Sequence, residues 1–104
     1  MAELGKDGPR YTVHGSGKIA QTIRRIQRLA KEQGRGQQAL AALKQIYQRL
    51  QEDPNDLGEP MYRLSALGLE VRTCVIRPIN IDFAVHQERS LVFIKGVKLL
   101  TDVG

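Results

Sequence analysis

Leu69-Glu70-Val71-Arg72-Thr73-Cys74-Val75-Ile76-Arg77-Pro78-Ile79-Asn80-Ile81-Asp82-Phe83-Ala84-Val85-His86 is the stretch that decides how this chain folds. Leu69, Val71, Thr73 and Val75 alternate with Glu70, Arg72 and Cys74; Ile79, Ile81, Phe83 and Val85 alternate with Asn80, Asp82, Ala84 and His86. A period of two sends successive side chains to opposite faces, so each run predicts a half-buried strand, over 69–76 and 79–86, with Pro78 as the breaker between them. Gln87-Glu88-Arg89-Ser90 reads as a turn. The apolar run that follows, Leu91-Val92-Phe93-Ile94, predicts a further, largely buried strand over 91–97.

Upstream of this stretch the period changes. Ile19, Ile23, Ile26 and Ala30 recur at steps of four, three and four, while Arg24, Arg25, Arg28 and Lys31 fall on the other side. That spacing is helical, and Ser16 is placed to cap it. Gly34-Arg35-Gly36 interrupts the pattern; a second stripe, Ala39, Leu40, Leu43, Ile46, Tyr47 and Leu50, ends at Pro54. Two helices joined by so short a loop form an antiparallel hairpin, here over residues 18–53, whose apolar stripes need a surface to cover. Before them, Tyr11-Thr12-Val13-His14 reads as a short strand over 10–14. The expected fold is therefore an α+β domain of order β-α-α-β-β-β, with the hairpin on one face of a small, mostly antiparallel four-stranded sheet. Residues 1–9 read as a Gly-, Pro- and charge-rich leader, 10–98 as one domain, and 99–104 as a tail.

The 104 residues are enough for one compact domain. With 41% hydrophobic and 26% charged residues, the composition is that of a globular protein. No run approaches the roughly 18 uncharged apolar residues that a membrane helix needs, and the start lacks an apolar signal core, so a cytoplasmic location is expected. The single Cys74 allows neither an internal disulfide nor a Cys-rich zinc site, and His14 and His86 have no metal-ligand spacing around them. No cofactor and no metal is expected. Only three Tyr and two Phe are present, without Trp, so a platform for stacked bases would have few rings to use.

The net charge of +5 is unevenly spread. Residues 8–51 hold nine Lys or Arg against Glu32, whereas 52–59 hold four acids and no base. The positive field belongs to the first half and suits an anionic partner. Arg24, Arg25, Arg28 and Lys31 on the first helix are the residues expected to meet nucleic acid or an acidic protein, the alternative being an ordinary solvated face. Arg72 and Arg77 are expected on the sheet face that the helices leave uncovered. There they could hold a scissile phosphate, with His86 as acid or base, or simply belong to a solvated face with Glu70 and Asp82 as counter-charges. The junction Val13-His14-Gly15-Ser16-Gly17-Lys18-Ile19 has the look of a phosphate loop, but Thr12 stands at its first Gly and Ile19 at its magnesium-binding hydroxyl, so it reads better as a capped turn.

Taken together, Gln51-Glu52-Asp53-Pro54 closing the second helix, then Gly58-Glu59-Pro60-Met61-Tyr62-Arg63-Leu64, Ile81-Asp82-Phe83-Ala84-Val85 and Leu91-Val92-Phe93-Ile94-Lys95-Gly96-Val97, make a chain that resembles the RelE/ParE superfamily of bacterial type II toxins. The resemblance covers about residues 10–98. It implies a toxin component neutralised by a small acidic antitoxin protein, acting either on translation as a ribosome-dependent, metal-independent mRNA endonuclease or on DNA gyrase. A homodimer stays open. In the nuclease branch the third strand carries an Arg where this chain has Asn80, and Arg72 is the residue that matches a basic position of the family. The alternative reading is a basic nucleic-acid-binding module without enzymatic activity.

Overall fold

In a computed structural model, whose described residues are 10–101, the chain forms two helices and a five-stranded mixed sheet. The elements are β1 (Thr12–His14), α1 (Gly17–Glu32), α2 (Gly36–Glu52), β2 (Glu59–Leu64), β3 (Leu69–Ile76), β4 (Ile79–His86) and β5 (Leu91–Leu99). The α+β class and the helix hairpin on one sheet face agree with the sequence reading. The predicted leader lies outside the described residues, and the last strand runs two residues further than expected.

Two expectations are corrected. The sheet has five strands in the spatial order β1-β5-β4-β3-β2, not four, and the chain order is β-α-α-β-β-β-β. The missed strand is β2, Glu59-Pro60-Met61-Tyr62-Arg63-Leu64, five of whose six residues are exposed. An edge strand buries little, so no period of two is selected in it, and Pro60 is tolerated because one side of the strand has no neighbour. The pairing is also mixed: β1 runs parallel to β5, while all other neighbours are antiparallel. A three-residue strand carries too little pattern to announce its partner. It is tied down instead by Arg10 and Tyr11, whose backbone N–H groups both donate to the Gln51 carbonyl at 2.9 Å.

The register of the β3–β4 hairpin corrects a third expectation, the face that β3 turns to the helices. Arg77-Pro78 is a two-residue turn with a cis peptide bond, so Ile76 lies opposite Ile79, Cys74 opposite Ile81 and Arg72 opposite Phe83. Directly opposed residues share a face. Ile79, Ile81, Phe83 and Val85 do face the helices, as expected, but they bring Cys74 and Ile76 with them into the core. Val71, Thr73 and Val75 therefore lie on the uncovered face. In β5, a bulge between the Asp82 and Phe83 pairings leaves Lys95 as the extra residue. Without it, Ile94 and Val97, an odd number of residues apart, could not both reach the core.

The core lies between helices and sheet. It is built from Ile26 and Ala30 of α1, Ala39, Ala42, Ile46 and Leu50 of α2, and the inward residues of β3, β4 and β5. Ser16 caps α1 as predicted, its Oγ accepting from the Ile19 N–H at 3.2 Å. The second stripe is wider than the sheet can cover. Leu40 and Tyr47 belong to it by spacing but remain 42% and 49% exposed.

Candidate functional site

The uncovered sheet face carries one row of residues that crosses all five strands. His14 pairs with Phe93, Phe93 with Ala84, Ala84 with Val71, and Val71 with Tyr62. At about 4.8 Å per strand this row is roughly 19 Å long, with rings at both ends and small side chains in the middle. The His14 and Phe93 rings stack, their centroids 5.4 Å apart and their planes 23° from parallel. At the far end Tyr62 is 47% exposed. Lys95, the bulged residue of β5, reaches back over the sheet and donates to the Tyr62 hydroxyl at 3.4 Å, with its ammonium 5.9 Å from the ring centre. Because the flanking rings and the lysine stem shield them, Val71 and Ala84 are only 2% exposed although no helix covers them. The result is a shallow aromatic saddle with a cation over it.

Around the saddle the face is mixed, with Val75 exposed beside Thr73, Asn80 and Asp82. Asn80 donates to the Thr73 hydroxyl and to the Cys74 carbonyl, both at 3.0 Å, and so links β4 to β3. Sequence reading missed the saddle because His14, Tyr62, Phe93 and Lys95 come from three strands, one of them unrecognised. The one signal available was the Arg77-Pro78 turn, which as a two-residue hairpin would have set the β3 face correctly.

Arg72 is placed elsewhere, on the core side of β3 and only 7% exposed. Its Nε donates to the Leu57 carbonyl at 3.1 Å, and its two terminal nitrogens donate to Glu70 at 2.9 Å and to the Gly58 carbonyl at 3.2 Å. It clamps the connection from α2 to β2 onto the sheet. Glu70 in turn lies 3.5 Å from Arg63. Arg77 sits in the hairpin turn, in a depression shared with Arg35, Gln38 and Gln45 of the helix side. His86 is at the opposite end of the same hairpin, about 23 Å away along seven strand residues. Its Nδ1 accepts from the backbone N–H groups of Glu88 and Arg89, each at 3.1 Å, and so holds the turn into β5. The three residues named as catalytic candidates thus stand in three separate places.

Arg24, Arg25, Arg28 and Lys31 are all exposed, on the helix side of the molecule and away from the saddle. At about 100° per residue they share one exposed arc of α1. On it Arg25 and Arg28 line a shallow depression with Lys18, Gln21 and Thr22.

Cys74 is buried in the core, and burial pushes its thiol pKa up, with the Arg49 charge opposing. A thiol that stays protonated and covered is unreactive. At pH 8, DTNB is expected to modify Cys74 only as fast as the protein unfolds, and fully within seconds in denaturing urea. The raised value also sets a sign for stability. The thiol's contribution is complete below the unfolded value of about 8.5 and is lost as pH rises toward the folded one.

Among the described residues no group of three or more His, Cys, Asp or Glu is placed to hold a metal ion, and no helix is long and apolar enough to cross a membrane. Compared with known protein families, with curated proteins and with solved structures, the chain matches none.

Proposed function

We propose that this protein binds single-stranded RNA on the uncovered sheet face, as a RelE/ParE-like toxin component acting on translation. The observation that carries the reading is the saddle, with Tyr62 at one end, stacked His14 and Phe93 at the other, and Lys95 between. Unpaired bases are recognised by stacking on exposed rings, and an open sheet is the surface on which small RNA-binding domains present such rings. Lys95 supplies the cation that a phosphate requires, and the overall charge of +5 adds long-range attraction. If the bound strand is cleaved, His14 within the saddle, or His86 one pleat from Ala84 on the same face, is the imidazole able to move a proton, and Lys95 the group able to hold the phosphate. The separation of Arg72, Arg77 and His86 favours a second reading, a binding module that does not cut.

The test is fluorescence anisotropy with a labelled single-stranded RNA of about ten nucleotides, followed by electrophoresis of the same RNA. Tyr62→Ala is expected to weaken binding about tenfold or more, since one stacked base contributes about 1–3 kcal/mol. Tyr62 is half-exposed at an edge strand, so the variant keeps the fold and loses only the cover over Val71. Growth arrest on expression, lost in Tyr62→Ala, supports the toxin reading; binding of intact RNA without arrest supports the module. Equal affinity in the wild type and Tyr62→Ala would overturn the saddle as the binding surface.

A further inference from the structure

We infer that the uncovered sheet face also reads the base it stacks, selecting guanine through the Asp82 carboxylate, a selection that rests on the saddle as the RNA-binding surface. Asp82 lies on β4 between Ile81 and Phe83, both of which face the core, so its side chain stands on the uncovered face. It is two residues from Ala84 in the floor of the saddle, about 6.7 Å along the strand. That is roughly the half-width of a purine plus one hydrogen bond of about 2.9 Å. By sequence Asp82 had a counter-charge in Arg72, but the β3–β4 register turns Arg72 to the other face. Among the described residues no hydrogen bond or ion pair engages the Asp82 carboxylate. On a surface that meets phosphates an unpaired carboxylate lowers affinity, so what it gains there comes from the bases.

Across the sheet Asp82 stands between Gly96 of β5 and Thr73 of β3. Directly opposed residues share a face, so both border the carboxylate. Gly96 lies inside a strand, its φ is not positive, and a Cβ placed on it would meet no atom within 4 Å. Neither backbone conformation nor packing calls for a glycine there. A glycine inside a strand marks a close approach, here the open slot through which a base edge reaches Asp82. On the other side the Thr73 hydroxyl accepts from Asn80 at 3.0 Å, which leaves its own hydrogen to donate. The row therefore offers two acceptor oxygens beside one donor. Guanine carries the complement on its Watson–Crick edge, N–H donors at N1 and N2 beside the O6 acceptor. Adenine and cytosine present one amino group beside an acceptor nitrogen, and uracil one N–H between two carbonyls, so each leaves a carboxylate oxygen without a donor. Lys95, whose bond to the Tyr62 hydroxyl is long and exposed, moves aside with its ammonium to the phosphate.

The probes are labelled uridine decamers with guanosine, inosine, adenosine or cytidine at one central position, together with the all-uridine strand, and binding is followed by anisotropy. The guanosine strand is expected to bind about tenfold more tightly than the adenosine strand, the scale of one bidentate base contact. Inosine lacks the N2 amino group, and its strand is expected to fall between them. Asp82→Asn, equal in size and with no side-chain bond to break in the free protein, is expected to bring the guanosine strand down to the others. Gly96→Val fills the slot and is expected to do the same, its Cβ standing in open space that the fold does not use. Equal affinity of the wild type for all five strands would overturn the inference and leave the saddle standing. So would tighter binding of every strand by Asp82→Asn with the ratios between strands kept, the behaviour of a carboxylate that only repels phosphate. Absence of binding by every strand would overturn the inference and the saddle together.

Discussion

Gly58→Ala is expected to cost about 3 kcal/mol or more, a large share of the roughly 5–15 kcal/mol that holds a small domain together. Gly58 follows the connection from α2 and has φ +67°, the left-handed region that a side chain disfavours. A Cβ there would also lie 2.0 Å from the Thr73 carbonyl oxygen and 2.8 Å from its carbon, both backbone atoms of β3 that cannot swing aside. The variant must either push β2 off β3 or shift β3 itself, and β3 contributes Cys74 and Ile76 to the core. Urea denaturation is the measurement. A midpoint close to that of the wild type would show that the turn can relax, and that the close approach of the two backbones is not a fixed feature. Gly34, also at positive φ, has open space around its Cβ direction. Gly34→Ala therefore serves as the control, with only the backbone cost of about 1 kcal/mol.

Arg72→Leu is expected to destabilise the fold by about 3 kcal/mol, which for a chain of this size lowers Tm by more than about 10 °C. The leucine fills much of the same space, but the Leu57 and Gly58 carbonyls lose their donor and the largely buried Glu70 loses its main counter-charge. Unmade hydrogen bonds of buried groups, rather than lost attraction, supply most of the cost. Arg63 at 3.5 Å from Glu70 offsets part of it. Two further variants sharpen the assignment. Arg72→Lys keeps the charge but offers its donors from one nitrogen instead of the three that reach Leu57, Glu70 and Gly58, so it should fall between wild type and Arg72→Leu. Arg72→Leu combined with Glu70→Leu removes both charges and should recover part of the loss. A catalytic arginine would behave otherwise, with RNA cleavage lost at unchanged Tm. That outcome would overturn the clamp.

The two predictions meet at one point of the structure, since Arg72 donates to the very carbonyl of Gly58 whose backbone presses on Thr73. Neither residue is on the saddle. Damage to RNA binding by either variant would report a loosened sheet and not a lost contact. Tyr62→Ala, by contrast, is expected to weaken RNA binding with a change in Tm small beside those of Gly58→Ala and Arg72→Leu.

Local pattern carries part of this structure. The steps of three and four in Ile19, Ile23, Ile26 and Ala30 fix a helix face, and the capped turn at Ser16 fixes where it starts. The alternation of Ile79, Ile81, Phe83 and Val85 fixes which side of β4 is buried. These readings need only the geometry of one element and the tendency of apolar groups to leave water. The rest depends on neighbours. In β3 both alternating sets contain apolar and polar residues, so pattern could not choose between Val71 and Cys74 for the core. The Ile76–Ile79 register chose, and it carried Arg72 inward with Cys74. β2 has no inward face to pattern, and is a strand only because β3 offers it an unpaired edge. The saddle joins residues 79 positions apart in the chain, His14 and Phe93, through a parallel pairing that no short window of sequence contains. The groove left open between α1 and α2 arises because two helices lie on a sheet broader than their contact. Each helix shows its own apolar arc in the sequence. How much of that arc is left uncovered is set by the distance between them, and that is a property of the packed molecule alone.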